Sequence, residues 1–72
     1  MTWTRVEIPG AGRSLCDRRF PQTTISCLNH GYKVEMALGT ICPSRIALPD
    51  ALLAFGRTVP TDDDLAWLRG EQ

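Results

Sequence analysis

Seventy-two residues with zero formal net charge, 43% hydrophobic and 22% charged, suit one small globular domain and contain too much apolar surface for a disordered chain. A chain this short buries only about 60% of the surface its unfolded form exposes, which disfavours an enzyme with its own deep pocket and favours a binding module. Neutrality also removes the basic surplus that phosphate-binding domains carry, so nucleic acid is a disfavoured partner.

From the N-terminus, Thr4, Val6 and Ile8 alternate with Trp3, Arg5 and Glu7, the pattern of a half-buried strand ended by Pro9-Gly10. Pro9 to Gln22 runs for about fourteen residues without a clean period and reads as a long loop carrying Arg13, Arg18 and Arg19. Thr24–Leu28 and Tyr32–Leu38 then form a β-hairpin over about residues 23–38. A two-residue turn at His30-Gly31 would pair Cys27 with Val34 and Ile25 with Met36, all four on one face, with Gly31 supplying a positive φ. A three-residue loop would set Ile25 against Glu35 and Cys27 against Lys33, so the apolar pattern selects the first register.

Thr40–Leu48 reads as a further strand, placed at a sheet edge by Pro43. Leu48 precedes a proline and is biased toward an extended conformation, while Pro49 suits the first position of a helix. That helix spans about residues 49–55, with Leu52, Leu53 and Phe55 as its apolar stripe and Gly56 closing it. Thr61 is the N-cap of a second helix over about 62–69, with Asp64 as capping-box partner, Leu65 and Leu68 as its buried stripe and Gly70 as its stop. The expected fold is a small single α+β domain over residues 1–72: a short antiparallel β-sheet, made of the N-terminal strand and the hairpin, packed with two short C-terminal helices.

The charges are unevenly distributed. Residues 1–45 carry six basic groups against three acidic ones, net +3, and residues 46–72 carry two against five, net −3. This makes either a dipolar surface that steers a partner or two halves that complement each other. Seven of the eight basic residues are arginine, the side chain suited to planar, bidentate contacts at interfaces. Three cysteines, with no apolar leader or membrane-spanning stretch, predict a soluble cytoplasmic protein with reduced thiols and no contact with a membrane.

Each candidate chemistry has a plain structural counterpart. Asp62, Asp63 and Asp64 point about 100° apart on a helix and cannot all face one ion, so helix capping and the macrodipole account for them. Cys16, Cys27, His30 and Cys42 make a Cys₃His set for structural zinc, without the paired cysteines of strong zinc signatures. Arg13, Arg18 and Arg19 flank Cys16 and would lower a thiol pKa, yet no base stands near it in sequence. Pro9 to Ser14 is glycine-rich but lacks the ending of a phosphate-binding loop, and reads as a turn. No enzyme activity, no cofactor and no metal is expected. Trp67, at the flank of the second helix's apolar stripe, is expected in the core, and either Trp3 or Trp67 becomes an interface anchor if exposed.

The segment from Ser44 to Gly70 resembles the ribbon-helix-helix repressors in three respects. It has an alternating Ser44–Leu48 ribbon, a proline where the first helix begins, and a Gly56-Arg57-Thr58 turn before a capped second helix. The likeness covers about 27 of 72 residues. It implies a dimeric DNA-binding regulator in which Arg45 and Ala47 face outward while Ile46 and Leu48 are buried. Two features depart from that family: the first helix is half the usual length, and three aspartates occupy the end that would donate amides to DNA phosphate. DNA binding and a zinc module therefore stand as alternatives to the main expectation. That expectation is a small regulatory or inhibitory protein, of a size common in phage and mobile elements, that binds a larger protein partner. Its contact residues would be Arg13, Arg18, Arg19 and Phe20 in the basic segment and Asp62, Asp63 and Asp64 at the acidic helix start. A homodimer is a further expected association, because the core is small and an edge strand is available.

Overall fold

Short turns bring each strand back beside the one before it, so the first part of the chain forms an antiparallel meander. The computed structural model describes residues 2–72, and among these it has five strands and two helices. The strands are β1 (Trp3–Ile8), β2 (Gly12–Asp17), β3 (Thr24–Leu28), β4 (Gly31–Met36) and β5 (Gly39–Ile41), paired in that order. Helices α1 (Leu48–Ala54) and α2 (Asp62–Leu68) follow and cover one face of the sheet. The expected α+β architecture with two C-terminal helices is what the chain adopts.

Register explains where the core lies. Arg5, Leu15, Ile25, Val34 and Ile41 stand opposite one another across the five strands. Leu15, Ile25 and Val34, with Trp3 and Tyr32 beside them, pack under Leu48 and Leu52 of α1 and Leu65 and Leu68 of α2. The other face presents the rows Thr4, Cys16, Thr24, Glu35, Thr40 and Val6, Ser14, Ser26, Lys33, mostly small or polar side chains with no layer over them. Antiparallel sheets commonly leave one face to solvent in this way. Among the described residues no helix is long and apolar enough to cross a membrane.

The largest departure from expectation is β2, which forms inside the segment expected to be a loop. Its inward positions are Arg13, Leu15 and Asp17, so two of the three residues facing the helices are charged. Strand periodicity measured by apolar residues is blind to such a strand. The β1 alternation holds, with Trp3, Arg5 and Glu7 on the helix side, while Ile8 lies 55% exposed on the open face.

The β3–β4 hairpin shows an instructive difference. Its two-residue turn is Asn29-His30, so Leu28 faces Gly31, Cys27 faces Tyr32 and Ile25 faces Val34. The pairing is displaced by two residues from the expected register, and an even displacement leaves every side chain on its expected face. Gly31 does not supply a positive φ. It is required for space: a Cβ there would lie 2.5 Å from the Pro43 carbonyl oxygen, which accepts a 3.0 Å hydrogen bond from the Tyr32 amide.

Pro43 and the turn at residues 45–47 stop β5 short, so the expected strand over Thr40–Leu48 is confined to Gly39–Ile41. Leu48 is already helical, its amide donating to the Ser44 carbonyl at 3.0 Å. The ribbon that the ribbon-helix-helix resemblance requires is therefore a turn. Thr61 caps α2 as expected, its hydroxyl accepting from the Asp64 amide at 3.1 Å. Both helices end in the Schellman arrangement, closed by Gly56 at φ 74° and Gly70 at φ 81°.

The tight approach at Gly31 sets a testable cost. Gly31→Ala pushes a methyl group against backbone rather than a movable side chain, and is expected to destabilise the fold by about 2 kcal/mol in urea unfolding. An unchanged midpoint would show that the β4–Pro43 contact relaxes freely.

Candidate functional site

Both arginines of the sheet are turned inward, onto the helices. Arg5 of β1 donates from Nε to Asp64 Oδ1 at 2.8 Å, and the Asp64 side chain is 4% exposed. Arg13 of β2 donates from Nη1 to the backbone carbonyls of Trp67 at 2.7 Å and Gln72 at 2.9 Å, and from Nε to Glu7 at 3.3 Å. Both guanidinium groups lie over the Trp67 ring, 5.4 Å (Arg5) and 4.9 Å (Arg13) from its centroid. A cation at the last carbonyls of a helix is favourably placed against its dipole. Arg13 and Asp64, both expected at the partner-binding surface, are thus occupied within the fold. Trp67, expected in the core, is half-buried against these arginines, and Trp3 is fully in the core. Among the described residues no bond from the Thr61 amide to the Asp64 carboxylate completes the capping box, and Asp64 Oδ1 accepts from Arg5 instead.

A second cluster pins the C-terminal tail. Arg69 donates to Tyr32 Oη at 2.7 Å and to both Glu71 carboxylate oxygens at 3.0 Å, while Arg45 reaches Glu71 at 3.3 Å. The hydrogen bond from Arg69, aided by Arg45, holds the Glu71 carboxyl below its ordinary range. The hydrogen bonds to Glu71 and Tyr32 hold the Arg69 guanidinium above its own.

Arg18, Arg19 and Phe20 lie in the β2–β3 turn and are exposed. Local hydrogen bonds fix that turn. The buried Asp17 carboxylate accepts from the Arg19 amide at 2.8 Å, the Thr23 amide donates to the Phe20 carbonyl at 2.8 Å, and the Asp17 amide donates to the Thr23 carbonyl at 3.0 Å. Arg57, just beyond α1, joins the turn from the helix layer. It donates to Thr23 Oγ1 at 3.2 Å and to the Phe55 carbonyl at 2.6 Å, and its guanidinium sits 4.0 Å from the centroid of the Phe20 ring. Between the turn, Ala37 and Arg57 lies an open depression of about 340 Å³. Nothing in the spacing of the sequence links residue 57 to residue 20, so Arg57 was not legible as a site residue.

Asp62 and Asp63 are exposed on the first turn of α2, with Asp63 accepting from the Gln72 amide group at 3.3 Å. The sulfur residues do not converge. Cys16 stands between Thr4 and Thr24 on the open face, whereas Cys27 pairs with Tyr32 on the helix side. Arg13 also lies on the face opposite Cys16, so their adjacency in sequence is not adjacency in space. His30 and Cys42 line a groove of about 470 Å³ at the far end of the sheet. Among the described residues no three His, Cys, Asp or Glu side chains gather as a metal set. The Pro9–Gly12 glycines form the β1–β2 turn, with the Ala11 amide donating to the Ile8 carbonyl at 2.9 Å. Comparison with protein-family models, with curated proteins and with solved structures returns no match.

The Glu71 cluster gives a pH signature. Because its folded pKa lies below the ordinary 4.5, the Arg69–Glu71 contact stabilises the fold above that value and is lost as pH falls through the folded pKa. Thermal unfolding followed from neutral pH into acid is expected to show a smaller acid decline in Glu71→Gln than in the parent. Coincident acid limbs would show that Glu71 contributes none of it.

Proposed function

We propose that the protein is a non-catalytic regulator or inhibitor that binds a larger protein through the Arg18–Arg19–Phe20 turn and Arg57. The observation that carries this reading is the stacking of Arg57, at 4.0 Å, on a Phe20 ring that remains 37% exposed. Arginine and aromatic groups are the side chains that dominate binding energy at protein interfaces. A turn already fixed by the Asp17 carboxylate loses little conformational freedom on association, which favours affinity. Leu38, 95% exposed in the adjoining β4–β5 turn, widens the apolar part of the surface.

Three features support a carboxylate-bearing partner. Arg19 makes no side-chain ion pair among the described residues, Arg57 is braced by a hydroxyl and a carbonyl rather than an acid, and Arg18 is exposed beside them. A planar guanidinium pair next to an aromatic ring suits an Asp or Glu flanked by an apolar residue. A cytoplasmic setting with reduced thiols belongs to the same reading.

The test is affinity capture with the protein as bait, identification of the bound protein, and titration of that purified protein against variants. Arg19→Glu and Phe20→Ala are expected to weaken binding by about tenfold or more, while Asp62→Asn leaves it unchanged. Equal affinity for the parent and both turn variants would remove this surface from the interface.

A further inference from the structure

We propose that β1 is a self-association edge, on which a second copy of this chain pairs antiparallel about a two-fold axis at Val6. The two edges of the sheet differ. The β5 edge has three residues, and the chain leaves it at Pro43. The β1 edge has six residues with neither proline nor lysine, and its two inward-pointing charges, Arg5 and Glu7, are opposite in sign and each already paired within the chain. Thr4, Arg5, Glu7 and Ile8 are exposed along it.

Hydrogen bonding within the sheet fixes which backbone groups are available. The Arg18 amide donates to the Thr2 carbonyl at 2.8 Å, one position beyond the Trp3–Asp17 pair, and the Ile8 carbonyl accepts within the β1–β2 turn. Antiparallel strands alternate the direction of these groups residue by residue. Thr4, Val6 and Ile8 therefore turn their amides and carbonyls to β2, and Trp3, Arg5 and Glu7 turn theirs outward. An incoming two-fold copy must meet odd-numbered residues with odd-numbered residues.

Charge then selects the register. With the axis at Arg5, the two copies place Arg5 opposite Arg5, and like charges directly across a strand pair are unfavourable. With the axis at Val6, Arg5 meets the second copy's Glu7, Val6 meets Val6, and Thr4 meets Ile8. The helix-side rung then reads Arg13, Glu7, Arg5 and Asp64 in alternating sign, the last two from the second copy. Two of its three contacts are already present inside one chain, at 3.3 Å for Arg13–Glu7 and 2.8 Å for Arg5–Asp64. The axis runs normal to the sheet, so both helix layers lie on one side of a continuous sheet. The Arg18–Phe20 turns sit at opposite ends, and this pairing stands or falls independently of the partner surface.

Sedimentation equilibrium of the full chain is expected to give twice its 8.0 kDa mass. Glu7→Lys sets a cation against Arg5 twice per pair, and is expected to sediment as a monomer with an unchanged far-ultraviolet circular dichroism spectrum. Register is read by single cysteines in a chain carrying Cys16→Ser, Cys27→Ser and Cys42→Ser. Facing Val6 residues form a non-hydrogen-bonded pair with Cα atoms about 4.5 Å apart, within disulfide reach. Mild oxidation is expected to link Val6→Cys into dimers and to leave Thr4→Cys unlinked. A parent chain that sediments as a monomer, or a dimer in which Val6→Cys stays unlinked, would overturn the proposal. Loss of partner capture in Arg19→Glu with dimer mass retained would leave it standing.

Discussion

The Asp64 carboxylate, almost wholly removed from water and 2.8 Å from the Arg5 guanidinium, ties the helical layer to the sheet. Helix α2 is seven residues long, far below the length at which a helix holds itself together in water. It buries Asp64, Leu65 and Leu68, and its stability comes from what the sheet supplies. Arg5 meets its first turn, Arg13 meets its last carbonyls, and both guanidinium groups lie over the Trp67 ring. A buried acid with its cation removed costs several kcal/mol, so this contact also fixes which way the helix lies. The net positive first part and net negative second part of the chain are thus complementary layers of one fold, joined again where Arg45 meets Glu71.

Arg5, Arg13 and Arg69 are held by internal acceptors, Arg57 is braced by Thr23 Oγ1 and the Phe55 carbonyl, and Arg19 makes no side-chain ion pair among the described residues. The buried Asp17 carboxylate orders the β2–β3 turn through the Arg19 amide, while Arg57 covers Phe20 from the helix side. The candidate surface is small, pre-shaped and apolar at its centre, with guanidinium groups around it. These features are what the proposed partner surface rests on.

Local signals are legible in the sequence, and contacts between distant segments are not. Thr61, Leu65, Leu68 and Gly70 gave α2 almost residue for residue, because capping and helical spacing are local. The hairpin faces were also legible, since alternation survives an even shift of register; the register itself was not, because Gly31 answers to Pro43, twelve residues on. Strand β2 was hidden because Arg13 and Asp17 take inward positions where apolar residues normally advertise a strand. Of the expected contact residues, Arg18, Arg19, Phe20, Asp62 and Asp63 are exposed. Arg13 and Asp64 have partners 54 and 59 residues away, which no local pattern could reveal.

The central claim is that Arg5 and Asp64 act as one unit that docks α2, and a double-mutant cycle measures this most directly. Unfolding free energies of the parent, Arg5→Met, Asp64→Ala and the double variant are expected to give a coupling above about 1 kcal/mol, the double variant losing less than the sum of the singles. Single effects that add to within about 0.5 kcal/mol would contradict the claim, and would assign α2 docking to Leu65 and Leu68 alone.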